Sequence, residues 1–308
     1  MMDSPGNAST PPAQAVPAKN QKPETTNQKP SPTPPLLSVV VPCFNEEKTV
    51  ETIVQRVLAV DLPIEVIAVD DGSSDGSAAV LKALAAREPR VRAFFHETNT
   101  GKGAALATGF KHAAGAFVIV QDADLEYNPQ EFYLLLEPAL VEDADVVFGS
   151  RFKGHGPQRV LYYWHSIANW LLTTFSNMAS NLNLTDMESC YKLFRREVIQ
   201  AIELKEKRFG FEPEVTAKIA KMDCCVYEVG ISYSGRSYEE GKKIGLKDAF
   251  RAAYCILRYG FLGRRLKKPA RSPLPPAYAE LAGKLAGLRR DSWKLEIRKK
   301  PSTDVGGR

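Results

Sequence analysis

Two aspartates separated by one alanine, Asp122 and Asp124, close an apolar run at residues 117–121. Side chains two positions apart on an extended segment point the same way, so both carboxylates reach one point in space. A pair of hard oxygen donors there suits Mg²⁺ or Mn²⁺, which keep water ligands and take the rest from a diphosphate. Such an ion would neutralise charge on a departing diphosphate. The tripeptide alone also recurs on exposed turns. A second acidic turn lies upstream in Val69-Asp70-Asp71-Gly72-Ser73-Ser74-Asp75-Gly76. Asp70 and Asp71 would face the same cleft and accept hydrogen bonds from a nucleobase or a ribose. Ser73, Ser74 or Asp75 would cap the helix that follows. The two roles are compatible.

The elements that must hold these acids are legible from periodicity. Residues 37–42, 64–69, 91–95 and 117–121 are short, apolar and rich in β-branched side chains, which fits buried parallel strands. Between them, residues 46–60 and 75–87, and a segment from the glycine-rich 99–103 to His112, have helical spacing. Strand–helix alternation predicts right-handed crossovers and a mainly parallel sheet, an α/β fold with ligands beyond the carboxyl ends of the strands. The second half departs from strict alternation. Residues 146–148 form another strand, ending at Gly149-Ser150-Arg151. Residues 159–180 and 246–261 read as amphipathic helices, placed either as caps on the sheet or at a membrane interface.

In this order and at suitable distances stand Val41-Pro42-Cys43-Phe44-Asn45-Glu46, the Asp70–Gly76 turn, Asn99-x-Gly-Lys-Gly103, Asp122-Ala-Asp124 and Gly149-Ser-Arg151. Together they resemble the family 2 inverting glycosyltransferases of the GT-A fold, and among those the polyprenol- and dolichol-phosphate mannosyl- and glucosyltransferases. The likeness runs from Leu36 to Gly245. It implies that Pro42, Asn45, Glu46, Asp70 and Asp71 hold the nucleotide of a nucleotide-diphosphate sugar, with Lys102 approaching the diphosphate. Asp122 and Asp124 would serve the metal, Asp124 as a catalytic group. Arg151 would add a fixed positive charge through a planar fork that grips phosphate oxygens, unless it is a surface ion pair.

On the acceptor and sugar side, Arg159 and His165 stand in the helix where relatives carry basic residues. This departs from their pattern, and His165 is otherwise an ordinary helix residue. The resemblance implies Asp186 and Glu212 for sugar hydroxyls, and a basic lid with Arg236 and Lys242 over the phosphates. Capping or salt-bridge roles for Asp186 and Glu212 remain open. A lipid phosphate is already an anion, so positioning and charge screening would carry the rate without a general base. The implied reaction moves a hexose, from GDP-mannose or UDP-glucose, to a polyprenyl phosphate at the membrane surface. Two alternatives are a soluble glycan, protein or small-molecule acceptor, and a silent scaffold that binds sugar nucleotides.

Charge and composition set the surroundings. The net charge is +5, yet residues 261–308 hold 13 Lys and Arg against 4 Asp and Glu. An acidic body with a basic tail suits an anionic lipid surface, or else a solvated tail; nucleic acid is not expected. The five cysteines show no paired spacing, so reduced thiols are expected. No signal peptide or run of about 18 apolar residues occurs, which predicts a cytoplasmic protein peripherally bound to the cytoplasmic face of a membrane. The expected organisation is a disordered proline-rich segment at 1–35 and a glycosyltransferase domain at 36–245. A basic amphipathic helix follows at 246–268, then a basic, largely flexible tail at 269–308.

Overall fold

A computed structural model describes residues 34–154, 159–160, 162–235 and 246–287. The N-terminal segment up to 33, the loop with Arg236 and Lys242, and the end of the basic tail lie outside the described residues. Seven strands form one sheet. They are β1 (Leu37–Cys43), β2 (Ile64–Asp70), β3 (Val91–Phe95), β4 (Phe117–Val120), β5 (Val146–Ser150), β6 (Lys192–Arg195) and β7 (Val226–Gly230). Their spatial order is β3-β2-β1-β4-β6-β5-β7. All pairings are parallel except those of β6, which runs against both β4 and β5. The sheet is thus mixed and mainly parallel, as expected.

Helices α1 (Val50–Leu58), α2 (Ser77–Arg87), α3 (Lys102–His112) and α4 (Phe132–Val141) precede β5. Helix α5 (Tyr163–Ser180) leads to β6, and α6 (Arg196–Gln200) and α7 (Phe211–Ala220) follow it. Helix α8 (Leu246–Cys255) continues as a π-helical stretch over Ile256–Phe261. The central strands are buried on both faces: Val39, Val40, Val41, Ile67, Val118 and Ile119 have no exposed surface. Their β-branched side chains fit a sheet covered on both sides.

The direction of β6 positions the site. A strand antiparallel to its neighbours begins where they end, so the loop leading into β6 arrives at the carboxyl edge of β4 and β5. Gly149 N–H donates to the Tyr191 carbonyl at 2.8 Å, and Phe148 pairs with Lys192. Residues 185–191 are thereby delivered beside Asp122 and Arg151.

Helix α5 reverses the usual arrangement. Its buried positions are Thr173 and Ser176, while Tyr163, Trp164, Trp170, Leu171 and Met178 are exposed. The α8–π segment buries Ala252, Cys255, Ile256 and Tyr259 and exposes Phe250, Tyr254, Leu257 and Phe261. The two segments pack together, with the Phe175 and Phe261 rings 6.0 Å apart. A Cβ on Gly260 would come within 2.6 Å of Ala179 Cβ, so glycine is what permits this close approach. No helix among the described residues is long and apolar enough to cross a membrane.

Beyond Phe261 the chain returns to the sheet. Asp145, fully buried, accepts from Lys268 Nζ at 2.5 Å and Arg271 Nε at 2.9 Å, and Tyr278 is buried against the core. The described part of the segment expected as a flexible tail is therefore tethered.

Candidate functional site

Four strand ends and the loop before β6 converge at the carboxyl edge. At the end of β2, Asp71 is consumed by its own neighbourhood. Its Oδ1 accepts from Thr100 N–H at 3.1 Å and Thr100 Oγ1 at 2.8 Å, and lies 2.7 Å from His96 Nδ1. Its Oδ2 accepts from Gly101 N–H at 2.6 Å. The carboxylate thus pins the turn that opens α3, where Gly101 adopts φ +107°, a conformation costly for any side chain. Asp70 differs. Its Oδ2 accepts from Ser73 N–H at 3.1 Å, but its buried Oδ1 has no partner among the described residues. A buried acceptor of this kind suits a ligand donor.

Asn45 and Glu46 knit the first two strand-end loops together. Asn45, in a left-handed conformation, accepts from Ser74 N–H at 2.9 Å, and the Glu46 N–H donates to Ser77 Oγ at 2.9 Å. Pro42 is partly exposed beside them at the end of β1. The residue that caps α2 is Gly76, which has no side chain to give, so none of Ser73, Ser74 and Asp75 holds the cap position expected of them. Asp75, one residue earlier, accepts from the Ser77 N–H at 3.0 Å.

Lys102, on the first turn of α3, spans the cleft. Its Nζ lies 3.0 Å from Asp122 Oδ1 and 3.3 Å from Glu212 Oε1. Burial works to lower the Lys102 pKa, but the charges of Asp122 and Glu212 prevail and hold it well above its ordinary value. Asp124 Oδ1 accepts from the Glu126 N–H at 3.2 Å. Strand β4 ends at Val120, and Asp122 and Asp124 follow it into a turn in which Leu125 takes φ +65°, so the extended alternation expected for this segment is not kept. Among the described residues no group of three or more His, Cys, Asp or Glu forms a closed metal cage. The donor set fits an ion that shares its shell with water and a diphosphate, as Mg²⁺ and Mn²⁺ do.

Arg151 closes the other side. Its Nε and Nη2 grip Asp186 Oδ2 and Oδ1 at 2.7 and 2.8 Å, its backbone N–H donates to Asp186 Oδ2 at 3.0 Å, and Nη2 also donates to Asn169 Oδ1 at 3.3 Å. The guanidinium stacks over Tyr233, 5.2 Å from the ring centroid. Burial would lower the Arg151 pKa, and the Asp186 charge outweighs it. Asp186 thereby orients Arg151 and neutralises much of its charge. Tyr127 lies between Tyr191 and Tyr233, at 4.7 and 5.3 Å, and forms an aromatic wall behind these groups.

Asp122, Lys102, Glu212, Arg151 and Asp186 are thus brought into one acidic and basic cleft. Arg159 and His165 are not shown bonded to any of these residues: Arg159 Nη1 donates to the Gly235 carbonyl at 2.7 Å, and His165 is partly exposed near Tyr162. Sequence reading overlooked Glu126, Tyr127, Asn169, Glu188 and Tyr233. Asn169 was discoverable as a polar break in a helix. Tyr233 carried no local signal.

The sequence profile described as Glycosyl transferase family 2 matches residues 38–203. Polyprenol monophosphomannose synthase of Mycolicibacterium smegmatis is 30% identical over 233 residues, spanning 73% of this chain and 87% of that protein. Undecaprenyl-phosphate mannosyltransferase of Micrococcus luteus is 29% identical over 215 residues, spanning 67% and 86%. Among solved structures, glucosyl-3-phosphoglycerate synthase from Mycobacterium tuberculosis, in complex with Mn²⁺, UDP and glucosyl-3-phosphoglycerate, has a TM-score of 0.56. It is 18% identical and covers 73% of this chain and 80% of its own. Mannosyl-3-phosphoglycerate synthase from Rubrobacter xylanophilus has a TM-score of 0.57 at 20% identity, covering 79% and 80%. These two share the GT-A fold with this chain.

Proposed function

The chain belongs to glycosyl transferase family 2 and is a glycosyltransferase, and on that premise we propose that it moves a hexose from GDP-mannose or UDP-glucose to a polyprenyl phosphate, with inversion. The transfer takes place at the cytoplasmic face of a membrane, on which the protein lies peripherally. The observation that carries this reading is the inside-out helix α5. One face gives Asn169 to Arg151, while Trp164, Trp170 and Leu171 face outward beside the exposed Phe250, Tyr254 and Leu257. Exposed apolar area of this extent, flanked by Arg251 and Arg258, suits the boundary between headgroups and acyl chains. A lipid acceptor entering along that face meets Arg151 first. The names of the two bacterial relatives, both polyprenyl-phosphate mannosyl enzymes, support the same acceptor.

In the transfer, Asp70 Oδ1 accepts from the donor nucleoside, and Asp122 and Asp124 would hold a divalent ion. Such an ion would supply charge neutralisation to the leaving nucleoside diphosphate. Lys102, already seated on Asp122, adds a second positive charge next to it. Arg151, fixed by Asp186, orients the anionic acceptor through its remaining Nη1 donors. The phosphate oxygen needs no proton removed, so alignment of nucleophile and anomeric carbon is the main contribution.

A radiolabelled donor assay with polyprenyl phosphate and Mg²⁺ tests the reading. Labelled lipid from one of the two donors is the expected result. Label moved only to water-soluble acceptors would replace the lipid by a soluble one.

A further inference from the structure

Two buried polar atoms around Arg151 have no hydrogen-bond partner among the described residues. Asn169 uses Oδ1 to accept from Arg151 Nη2 at 3.3 Å, and its Nδ2, a donor, is buried with no partner among the described residues. Arg151 can only donate, so this orientation of the amide is fixed by chemistry. The Oε1 of Glu188 is likewise buried and without a partner. Both side chains lie around Arg151, which bonds Asn169 and attracts Glu188, and the segments that carry them meet. Thr173 lies one turn after Asn169 on the same face of α5, and its Oγ1 accepts from the backbone N–H of Met187, next to Glu188, at 3.2 Å.

The surroundings tie Glu188 to the charged groups of the cleft. Glu188 is repelled by Glu212, the partner of Lys102, and is attracted by Lys192 and Arg151. A path of neighbours therefore runs from Asp122 through Lys102 and Glu212 to Glu188. An unmatched buried donor and an unmatched buried acceptor each cost free energy until a ligand satisfies them. A hydroxyl both accepts and donates, so one sugar hydroxyl, or two neighbouring ones, can serve both atoms.

We infer that Asn169 Nδ2 and Glu188 Oε1 form a hydroxyl-reading pair for the sugar of the donor, and that they discriminate a nucleotide sugar from its bare nucleoside diphosphate. The inference rests on the donor reading proposed above. Burial first, and Glu212 second, push the Glu188 carboxyl up to about 7, so near neutrality it can present either a lone pair or a proton to a hydroxyl. Lys192, fully buried, has its pKa lowered by the same burial.

Two substitutions of similar size remove the unmatched atom. Glu188→Met replaces the carboxyl by a thioether with no hydrogen to donate and only a weak acceptor, and Asn169→Asp keeps an oxygen towards Arg151 while removing the donor and adding a charge. Calorimetric affinities for GDP-mannose, UDP-glucose, GDP and UDP, with Mg²⁺ present, form the test. Either variant is expected to weaken binding of the preferred nucleotide sugar about tenfold, the scale of one buried hydrogen bond, and to leave the nucleoside diphosphate within twofold. Equal weakening of both ligands, or of neither, overturns the inference. If one variant does not fold, the other decides. A wild-type protein that binds neither nucleotide sugar overturns the donor reading instead.

Discussion

Lys102 Nζ lies 3.0 Å from Asp122 Oδ1 while the same ammonium reaches Glu212 Oε1 at 3.3 Å, so one cation joins the first acid of the Asp122–Asp124 pair to the start of α7. Replacing it by Lys102→Met leaves two largely buried carboxylates facing each other. Removing one partner of a buried pair costs about 3–5 kcal/mol. The melting temperature of Lys102→Met should fall well below that of wild type, and Lys102→Met/Asp122→Asn should recover part of the loss. A double variant no more stable than the single one would refute the coupling.

Arg151→Lys keeps the charge but cannot grip Asp186 with two parallel bonds. It should lose about 2 kcal/mol of stability and most of the turnover, since the acceptor would meet a mobile point charge in place of a fixed fork. Denaturant titration and initial rates check both effects. Unchanged turnover would remove Arg151 from the reacting centre.

Asp71→Asn tests the pinning of the glycine-rich turn. An amide cannot accept at both ends, so the bonds from Thr100 and Gly101 weaken. Amide hydrogen exchange at Thr100, Gly101 and Ala104 should accelerate at least tenfold while the β1–β2 core stays protected. Unaltered exchange with lost donor binding would give Asp71 the direct nucleotide role.

The acid Glu188 predicts a pH dependence of stability. Its pKa is raised in the folded chain from 4.5 to about 7, so folding favours the protonated form. Its contribution is complete below pH 4.5 and is lost as pH rises towards 7. Relative to Glu188→Gln, wild type should lose on the order of 3 kcal/mol across that window. Melting curves of both proteins at several pH values check the sign. A parallel course would show that Glu188 ionises freely.

The exposed aromatic face gives a fifth outcome. Trp170→Glu and Phe250→Glu change side chains that are 61% and 77% exposed, so melting temperature should stay within 2 °C or so. Co-sedimentation with anionic vesicles should fall about tenfold or more for each, since a buried aromatic contributes about 1.5–3 kcal/mol. Undiminished vesicle binding would direct attention to another surface.

Where burial is continuous along a strand, the fold was legible. The runs of β1, β2 and β4 reveal themselves because both faces of a central parallel strand are apolar. Strand β6 did not, because Lys192-Leu-Phe-Arg195 is four residues long and begins and ends on charges. Its burial depends on partners on either side, which no window of sequence contains. The site divides in the same way. Asp122 and Asp124 are neighbours by local geometry, whereas Arg151 meets Asp186 only because β5 and β6 pair. Helix α5 showed its period, but period alone does not say which stripe faces the protein; its polar stripe does.

The contact between Ala179 and Gly260 bears on how the molecule would sit at a surface. With backbone pressed against a methyl group, α5 and the π-helical stretch have no room to slide or splay independently. The apolar face then behaves as a plate fixed to the sheet. On the proposed lipid acceptor, any tilt of that plate would carry Arg151 with it, and the height of the reacting centre above a surface would be set by the fold. Acceptors would then be sorted by where their reactive end lies, a ruler set by a single missing side chain.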